Sequence, residues 1–145
     1  MGNILAAGTA APGMTTPEIP DTHKNLLDAQ IGVLGTVGAN GRPQLSAVWF
    51  LGDADGTVQV SLNSSRQKLK NLRARPQASL LILDPASGYR YLEIRGTADV
   101  ADDPDYAFAK KIGAKYGGAD VRDHDGPTDT RHVVTIKPDR VIAWG

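Results

Sequence analysis

Short turn sequences recur along this chain and divide it into brief apolar runs. Asn40-Gly41 is the strongest of them, because an Asn-Gly pair readily adopts the left-handed backbone of a two-residue hairpin turn. The predicted strands cover 31–37, 43–51, 57–62, 78–83, 89–100 and one or two segments within 131–144. Parallel strands would need a long crossover helix between most of them, so this pattern favours an antiparallel sheet.

Helical patterns are few and short. The predicted helices cover about 21–29, 63–74 and 103–116, and a loop rich in Gly, Asp and Pro follows at 117–130. A loop of this length is either functional or mobile, and the sequence favours neither. We therefore expect a mainly β fold with short helices (α+β), built as a small antiparallel barrel of about six to seven strands.

The chain length of 145 residues fits a single domain. Residues 1–13 are rich in Ala, Gly and Thr, and Met14 opens a more ordinary sequence. We therefore predict that 1–20 is a disordered or artificially added N-terminal segment and that 21–145 forms the folded domain.

The overall charge excludes several classes of partner. Lys and Arg together number 16, as do Asp and Glu, so no global field attracts nucleic acid or an anionic membrane. The chain has no cysteine and only three scattered histidines, so we predict neither a disulfide nor a metal site. No apolar run approaches the roughly 18 residues of a membrane-spanning helix, and no signal peptide is recognisable. We expect a cytoplasmic protein.

The strongest local signal for binding is the passage from a predicted strand into the predicted helix 63–74. The first N–H groups of a helix carry a partial positive charge, and Ser64 and Ser65 offer further donors. Arg66 can grip phosphate oxygens in a bidentate manner, and Lys68 adds a mobile charge. This combination suits a phosphate group.

A solvated helix face explains the same cations without any ligand, because basic runs on short helices usually face water. The cations in and just after the predicted helix are Arg66, Lys68, Lys70, Arg73 and Arg75. From the residues alone, this interpretation stays open beside the phosphate site.

The second predicted strand carries polar groups on one face only. Gln44 and Ser46 alternate with apolar residues there, and a ring with carbonyl and nitrogen atoms would satisfy them if the face is buried. A solvent-exposed face is the open alternative. We expect Trp49 and Trp144 to be core or interface anchors rather than site residues.

Three segments together resemble the pyridoxamine-phosphate-oxidase-like split barrels. They are Ile31-Gly32-Val33-Leu34-Gly35-Thr36, Gly41-Arg42-Pro43-Gln44-Leu45-Ser46 and Arg66-Gln67-Lys68-Leu69-Lys70-Asn71-Leu72-Arg73. Their spacing matches as well as their residues, and they look most like the flavin/deazaflavin oxidoreductases of the F-420-dependent type. The resemblance extends from about Thr22 to Trp144.

The resemblance implies an antiparallel split β-barrel of the FMN-binding type and a homodimer with each cofactor between the subunits. The implied cofactor-binding residues are Arg66 and Lys68 at the phosphate, Ser61 and Leu62 beside the ring, and Gln44 and Ser46 in the ring pocket. A flavin or deazaflavin carries its own hydride, so we name no catalytic side chain.

The activity that the resemblance implies is the reduction of a small organic substrate with F-420 as hydride carrier. Lys70, Arg73 and Arg75 favour F-420 over FMN, because they extend the basic surface beyond the needs of one phosphate and suit a polyglutamate tail. Three alternatives stay open. They are an FMN-dependent oxidoreductase of the same fold, a non-catalytic flavin- or deazaflavin-binding protein, and a ligand-free barrel whose cations face water.

Overall fold

The structure is a computed structural model that describes the backbone of residues 4–9 and the whole of residues 17–145. Its strands are β1 (Ile4–Thr9), β2 (Gly32–Val37), β3 (Pro43–Val48), β4 (Leu51–Gly52), β5 (Val58–Asn63), β6 (Gln77–Asp84), β7 (Ser87–Asp102) and β8 (Arg131–Trp144). Its α-helices are α1 (Gln67–Ala74) and α2 (Ala107–Lys115), and 3₁₀ helices cover Asp21–Asp28 and Val121–His124. None of these helices is long and apolar enough to cross a membrane.

All eight strands that the described residues form belong to one antiparallel sheet. The main path runs β3-β2-β6-β7-β8-β5-β4, and β1 pairs with the C-terminal part of β8. β8 is paired along both edges, with β7 on one side and with β5 and β1 on the other. The prediction of a mainly β antiparallel fold with short helices and about seven strands is confirmed.

The two ends of this sheet are joined by a very short piece of chain. β3 stands at one end of the path and β4 at the other, yet only Trp49 and Phe50 separate them in sequence. Three residue steps span at most about 11 Å. The sheet must therefore curl until its ends meet, and these two residues lie at the seam of the resulting barrel.

The first hairpin confirms the strongest turn signal in the sequence. β2 and β3 pair along their full lengths, but the loop between them covers 38–42 rather than the two residues Asn40 and Gly41, and of these two Gly41 alone has a left-handed backbone. Gly41 has a φ of 80°, and its N–H donates to the carbonyl oxygen of Gly38 at 2.9 Å. A residue with a Cβ adopts this left-handed backbone only at a cost, so glycine at this position fixes the turn.

Alternate residues of the long strands face a single apolar core. In residues 78–82 of β6 and 92–98 of β7 every second residue is buried, and the residues between them are half-buried or exposed. Fully buried core side chains include Phe50, Leu80, Ile82, Leu92, Ile94 and Ile136. Burial of each such side chain contributes about 1.5–3 kcal/mol to folding, so the sheet's inner face supplies most of the hydrophobic driving force.

β8 runs continuously through Pro138, where the sequence pattern predicts a pause. The register of β7 against β8 shifts between Arg95 and Gly96, which leaves Asp139 without a partner in β7. Such an extra residue is a β-bulge, and it bends the strand. Proline is tolerated beside a bulge because it cannot supply a ladder N–H. The chain therefore closes with one strand of 14 residues rather than two.

The N-terminal segment departs from the disorder expected over 1–20. Ile4–Thr9 forms β1 against the free edge of β8, and Ile19 is buried, with its N–H donating to the carbonyl oxygen of Ala54 at 3.1 Å. A strand edge offers unpaired backbone groups to any segment that reaches it, which composition does not reveal. The rest of the predicted segment, 1–3 and 10–16, lies outside the described residues.

Gly96 tests how closely β7 and β8 approach each other at the bulge. A Cβ at this position would lie 2.0 Å from the carbonyl oxygen of Lys137, which belongs to the backbone of β8. We expect Gly96→Ala to lower the free energy of unfolding by about 2–3 kcal/mol in urea titrations. Gly88→Ala is the matched control, because its Cβ would meet no atom within 4 Å. Equal losses in both variants would contradict this account.

Candidate functional site

A groove of about 380 Å³ opens at the seam of the barrel. Its lining comes from the end of β3 and the residues that follow it, from β5, α1 and α2, from the loop 117–130 and from the start of β8. Elements from the two ends of the sheet therefore face each other across it. The groove contains both charged and apolar side chains, so it suits a molecule that has both an ionic part and an apolar part.

Two cations lie on the α1 side of the groove. Arg66 immediately precedes α1 and is exposed, whereas Lys68 lies in the first turn and is half-buried. Partial burial, together with the positive charge of Arg66, lowers the pKa of Lys68 from its ordinary value of 10.5. The first N–H groups of α1 add a partial positive charge at the same end. An anion here meets two cations and a helix start.

Asn63 shapes the turn between β5 and α1. Its buried side-chain oxygen accepts hydrogen bonds from the Ser65 N–H at 3.2 Å and from the Ser65 hydroxyl at 2.8 Å. Its side-chain nitrogen donates to Asp125 Oδ1 at 3.0 Å. The Ser64 hydroxyl donates to Asp129 Oδ1 at 3.3 Å. The sequence suggested both serine hydroxyls as ligand donors, whereas in the structure they build the turn that places Arg66.

A buried ion pair holds the loop 117–130 against the sheet. Arg131 donates from Nε to Asp125 Oδ2 at 2.8 Å and from Nη2 to Asp125 Oδ1 at 2.5 Å. Nη2 also reaches the carbonyl oxygen of Val121 at 2.5 Å, and Nη1 lies 3.4 Å from the Ser61 hydroxyl. Burial by itself raises the pKa of Asp125, but the hydrogen bonds it accepts, chiefly from Arg131, outweigh this and lower the pKa below 3.8. At neutral pH the carboxylate is charged and the wall of the groove is fixed.

The groove also has apolar and aromatic lining residues. Val60, Leu62 and Ile112 line it from almost fully buried positions, and Trp49 supplies a half-buried indole ring. Trp49 stacks on Tyr116 with the ring centroids 4.2 Å apart and the planes 5° from parallel. These residues can therefore exclude water from a flat apolar group.

Tyr116 is fixed in turn by the backbone of Phe50. Its hydroxyl accepts from the Phe50 N–H at 2.9 Å and lies 3.3 Å from the Phe50 carbonyl oxygen. Lys115 donates to that carbonyl at 3.0 Å and to the carbonyl of Leu27 at 3.1 Å, and burial lowers its pKa. Phe50 lies outside β3 and β4, so side chains from the end of α2 satisfy the backbone groups that the sheet ladder leaves free at the seam.

The loop 117–130 adds acidic groups to the groove. Asp120, Asp123 and His124 line it. Asp120 pairs with Arg122 at 2.7 Å, and the hydrogen bonds from the side chain and N–H of Arg122 lower the pKa of Asp120 to about 2. No three His, Asp or Glu side chains in the described part of the chain are grouped so that they could hold a metal ion. The groove is thus cationic along α1 and acidic along the loop.

The structure brings together four of the six predicted cofactor-binding residues. Ser61, Leu62, Arg66 and Lys68 all line the groove. Gln44 does not, because its Oε1 accepts from Asn71 Nδ2 at 3.0 Å in a polar network beneath α1. Ser46 does not line the groove either, and its Oγ is buried without a hydrogen-bond partner among residues 17–145. The alternation along β3 correctly predicts that these two side chains share the partly buried face of the strand. It does not indicate that α1 covers Gln44.

The basic surface of α1 is less free to move than the sequence suggests. Arg73 Nη2 lies 3.2 Å from His132 Nδ1, and Arg75 Nε donates to the carbonyl oxygen of Val37 at 2.8 Å. Both guanidinium groups therefore help to hold α1 on the sheet, although Arg73 is exposed and both keep their positive charge. They are less free than Lys70 to follow a polyglutamate tail, which weakens the sequence-based preference for F-420 over FMN.

Sequence reasoning missed two prominent residues of the groove. Trp49 was expected to be a core or interface anchor because large aromatic side chains are usually buried, and the predicted strand extended to Leu51, whereas β3 ends at Val48. Arg131 gave no signal, since its partner Asp125 lies within the loop 117–130 and the pairing depends on how that loop folds back. Neither position could be found without the curled sheet.

Comparisons with known proteins agree with this arrangement. The family described as pyridoxamine 5′-phosphate oxidase matches residues 19–145. A solved F420 reductase is 32% identical, over 85% of this chain and 98% of its own, with a TM-score of 0.73. A conserved hypothetical protein from Mycobacterium tuberculosis is 22% identical, over 94% of this chain and 89% of its own, with a TM-score of 0.70. A candidate pyridoxamine 5′-phosphate oxidase from Listeria innocua is 25% identical, over 85% and 95%, with a TM-score of 0.64.

Asp125→Asn tests the ion pair that fixes the loop. The side chains of Arg131 and Asp125 are only 7% and 10% exposed, so the variant leaves a buried guanidinium without its counterion. We expect the free energy of unfolding to fall by about 3 kcal/mol at pH 7, measured by urea titration. The control is Asp123→Asn, an exposed carboxylate of the same loop, which should change it by no more than about 0.5 kcal/mol. Similar losses in the two variants would refute the proposed anchoring role.

Proposed function

The chain belongs to the pyridoxamine 5′-phosphate oxidase family, and from this membership we propose that it is an oxidoreductase whose groove binds the deazaflavin coenzyme F-420. The membership confirms the resemblance recognised in the sequence and, with the curled antiparallel sheet, the split-barrel fold. The observation that carries the proposal is the presence of Arg66 and Lys68 in the same groove as an apolar, aromatic wall.

The phosphate of the cofactor binds at the α1 side. Arg66 is exposed and free to orient its guanidinium group on phosphate oxygens, and Lys68 adds charge from a half-buried position where water screens it less. Partial burial disfavours the charged form of Lys68. An anionic ligand stabilises that charged form and raises the pKa again, and the same electrostatic interaction contributes to binding of the ligand. The start of α1 contributes its unpaired N–H groups.

The ring of the cofactor lies against the apolar and aromatic lining residues of the groove. A deazaflavin or flavin ring supplies the hydride chemistry itself when bound, so the protein needs to supply position and exclusion of water. Val60, Leu62 and Ile112 form the surface that excludes water. Ser46, two residues before Val48 on the same face of β3, is not part of this surface, because its hydroxyl is buried and does not line the groove.

The choice of F-420 over FMN is supported by the 32% identity to the solved F420 reductase over nearly its whole length. The hydrogen bonds of Arg73 and Arg75 argue the other way, because they restrict how these two side chains can follow a polyglutamate tail. FMN is therefore the second candidate for the same groove, and a small organic molecule is the substrate class in either case. A cofactor carrier without catalysis is the remaining alternative.

The functional form is a homodimer that pairs the outer faces of two sheets. The register places one continuous row of outward side chains across five strands, namely Ala47, Val33, Leu81, Glu93 and Ile142. A second row, Leu83, Tyr91 and Trp144, crosses three strands beside it. Leu45 on the same face is 69% exposed, and Leu83 is 42% exposed. Apart from Glu93, the members of these two rows are apolar or aromatic, and a two-fold pairing would cover this face on both copies at once.

Lys68→Ala tests the phosphate site, with Lys70→Ala as its matched control. Both lysines belong to α1, but only Lys68 lines the groove. We expect Lys68→Ala to weaken binding of F-420 or FMN about ten- to hundredfold, because a charge-assisted hydrogen bond is lost, and Lys70→Ala to change it less than about threefold. Fluorescence titrations of the purified protein with each cofactor measure both constants.

The same titrations separate the candidate functions. Binding of F-420 followed by oxidation of the reduced cofactor in the presence of organic acceptors supports the proposed activity. Binding of FMN alone selects the FMN-dependent alternative, and tight binding without turnover by any acceptor selects a carrier. Binding of neither cofactor at micromolar concentration, or an unchanged affinity in Lys68→Ala, overturns the phosphate site.

Leu45→Glu tests the homodimer. Leu45 is largely exposed in the isolated subunit, so the variant should fold normally while placing a charge in the proposed interface. We expect sedimentation velocity to show a dimer for the parent protein and a monomer for the variant. Ala114→Glu adds the same charge at an exposed position of α2, which contributes no residue to the two rows, and should remain dimeric. A parent protein that sediments as a monomer would refute the dimer.

A further inference from the structure

We infer that Trp49 is a ring-binding residue of the groove, against which the planar aromatic ring of the bound molecule packs. The inference rests on the proposed function in one respect, that a ligand with an aromatic ring occupies the groove. It adds a specificity-determining residue that neither the sequence motifs nor the phosphate site contains. The sequence pattern itself favoured a core or interface role for this tryptophan.

The position of Trp49 follows from the topology of the sheet. The chain passes from one end of the sheet path to the other between Val48 and Leu51, so Trp49 lies at the seam rather than in a strand. A side chain at the seam has no cross-strand neighbour on a ladder to cover it. Trp49 is accordingly half-buried and lines the groove, whereas its neighbour Phe50 is completely buried in the core.

The indole is held rigidly before any ligand arrives. Tyr116 covers one of its faces in a nearly parallel stack, so the groove meets the other face or an edge of the ring. Tyr116 is itself held by hydrogen bonds between its hydroxyl and the backbone N–H and carbonyl of Phe50. Lys115 donates a further hydrogen bond to the same carbonyl. A ligand ring that packs on Trp49 therefore pays little side-chain entropy, which favours tight and selective binding.

The other lining residues leave Trp49 as the aromatic surface of the groove. Arg66 and Lys68 attract an anionic group, whereas Val60 and Ile112 line the groove from almost fully buried positions. A flat aromatic group gains about 0.5–1.5 kcal/mol on an aromatic side chain beyond the area it buries, which corresponds to about a two- to twelvefold change in affinity. An aliphatic phosphate ester would leave Trp49 uncovered.

Ligands that carry the ring and the phosphate separately distinguish the two parts of the groove. Riboflavin has the ring without the phosphate, inorganic phosphate has no ring, and FMN has both. We expect Trp49→Leu to weaken riboflavin and FMN by about tenfold each and to leave phosphate unaffected. Lys68→Ala should weaken FMN and leave riboflavin unchanged. Trp49→Phe, which keeps an aromatic ring, should restore at least part of the lost affinity.

The indole resonances give a direct readout of contact. The chain has only two tryptophans, so the indole N–H region of a ¹⁵N-correlated NMR spectrum contains two signals, which Trp49→Phe and Trp144→Phe assign. We expect riboflavin and FMN to shift the Trp49 signal through the ring current, and inorganic phosphate at saturation to leave it in place. F-420 should act as FMN does.

The possible outcomes separate this inference from the proposed function. If F-420 or FMN binds and depends on Lys68, but Trp49→Leu keeps full affinity and the Trp49 signal does not move, the inference is wrong and the phosphate site stands. If no ring-bearing ligand binds at all, the proposed function fails first. Unfolding curves of Trp49→Leu and Trp49→Phe show whether a loss of affinity reflects a loss of fold, because the Phe variant keeps the stack on Tyr116.

Discussion

The shortness of the link between β3 and β4 is the constraint on which the rest of this structure depends. Two residues must connect strands at opposite ends of a seven-strand path, so the sheet has to curl and its ends have to meet. The bulge at Asp139 helps β8 to bend, because an extra residue increases the local twist. The groove lies where the two ends face each other. It is therefore a consequence of how the barrel closes, and not an addition to a finished fold.

The backbone groups at the seam illustrate what this closure requires. Between β3 and β4 the ladder is interrupted, and the N–H and carbonyl of Phe50 would be buried without partners. The end of α2 solves this problem with the hydroxyl of Tyr116 and the ammonium group of Lys115. Tyr116 also stacks against Trp49, and the ammonium group of Lys115 lies over the ring of Phe50. Fold stability and the shape of the groove thus depend on one set of contacts.

Most of the fold could be predicted from the sequence because its signals are local. The turn at Gly41 needs a residue without a Cβ, and the apolar runs on either side carry strand periodicity. The site was only partly predictable. Arg66 and Lys68 share a helix start with Ser61 nearby, which a linear motif can reveal, whereas the position of Gln44 beneath α1 depends on a contact between elements far apart in the chain. The hydrogen bonds of Arg73 to His132 and of Arg75 to the Val37 carbonyl likewise depend on contacts between distant elements, which the sequence does not reveal.

The division of charge within the groove limits what can bind there. The cations stand on α1, and the nearest fixed carboxylates stand on the loop 117–130, where Asp125 is already neutralised by Arg131. The loop also reaches the turn before α1, where Asp125 accepts a hydrogen bond from Asn63 and the charge of Arg66 helps to lower the pKa of Asp125. An anionic group at Arg66 and Lys68 therefore also meets the field of the Arg131–Asp125 pair. Because α1 follows β5 directly and Trp49 follows β3 directly, the separation between the cations and the indole is set by the closed barrel itself. A molecule that spans both must be of fixed length, with a flat apolar part at one end and an anion at the other.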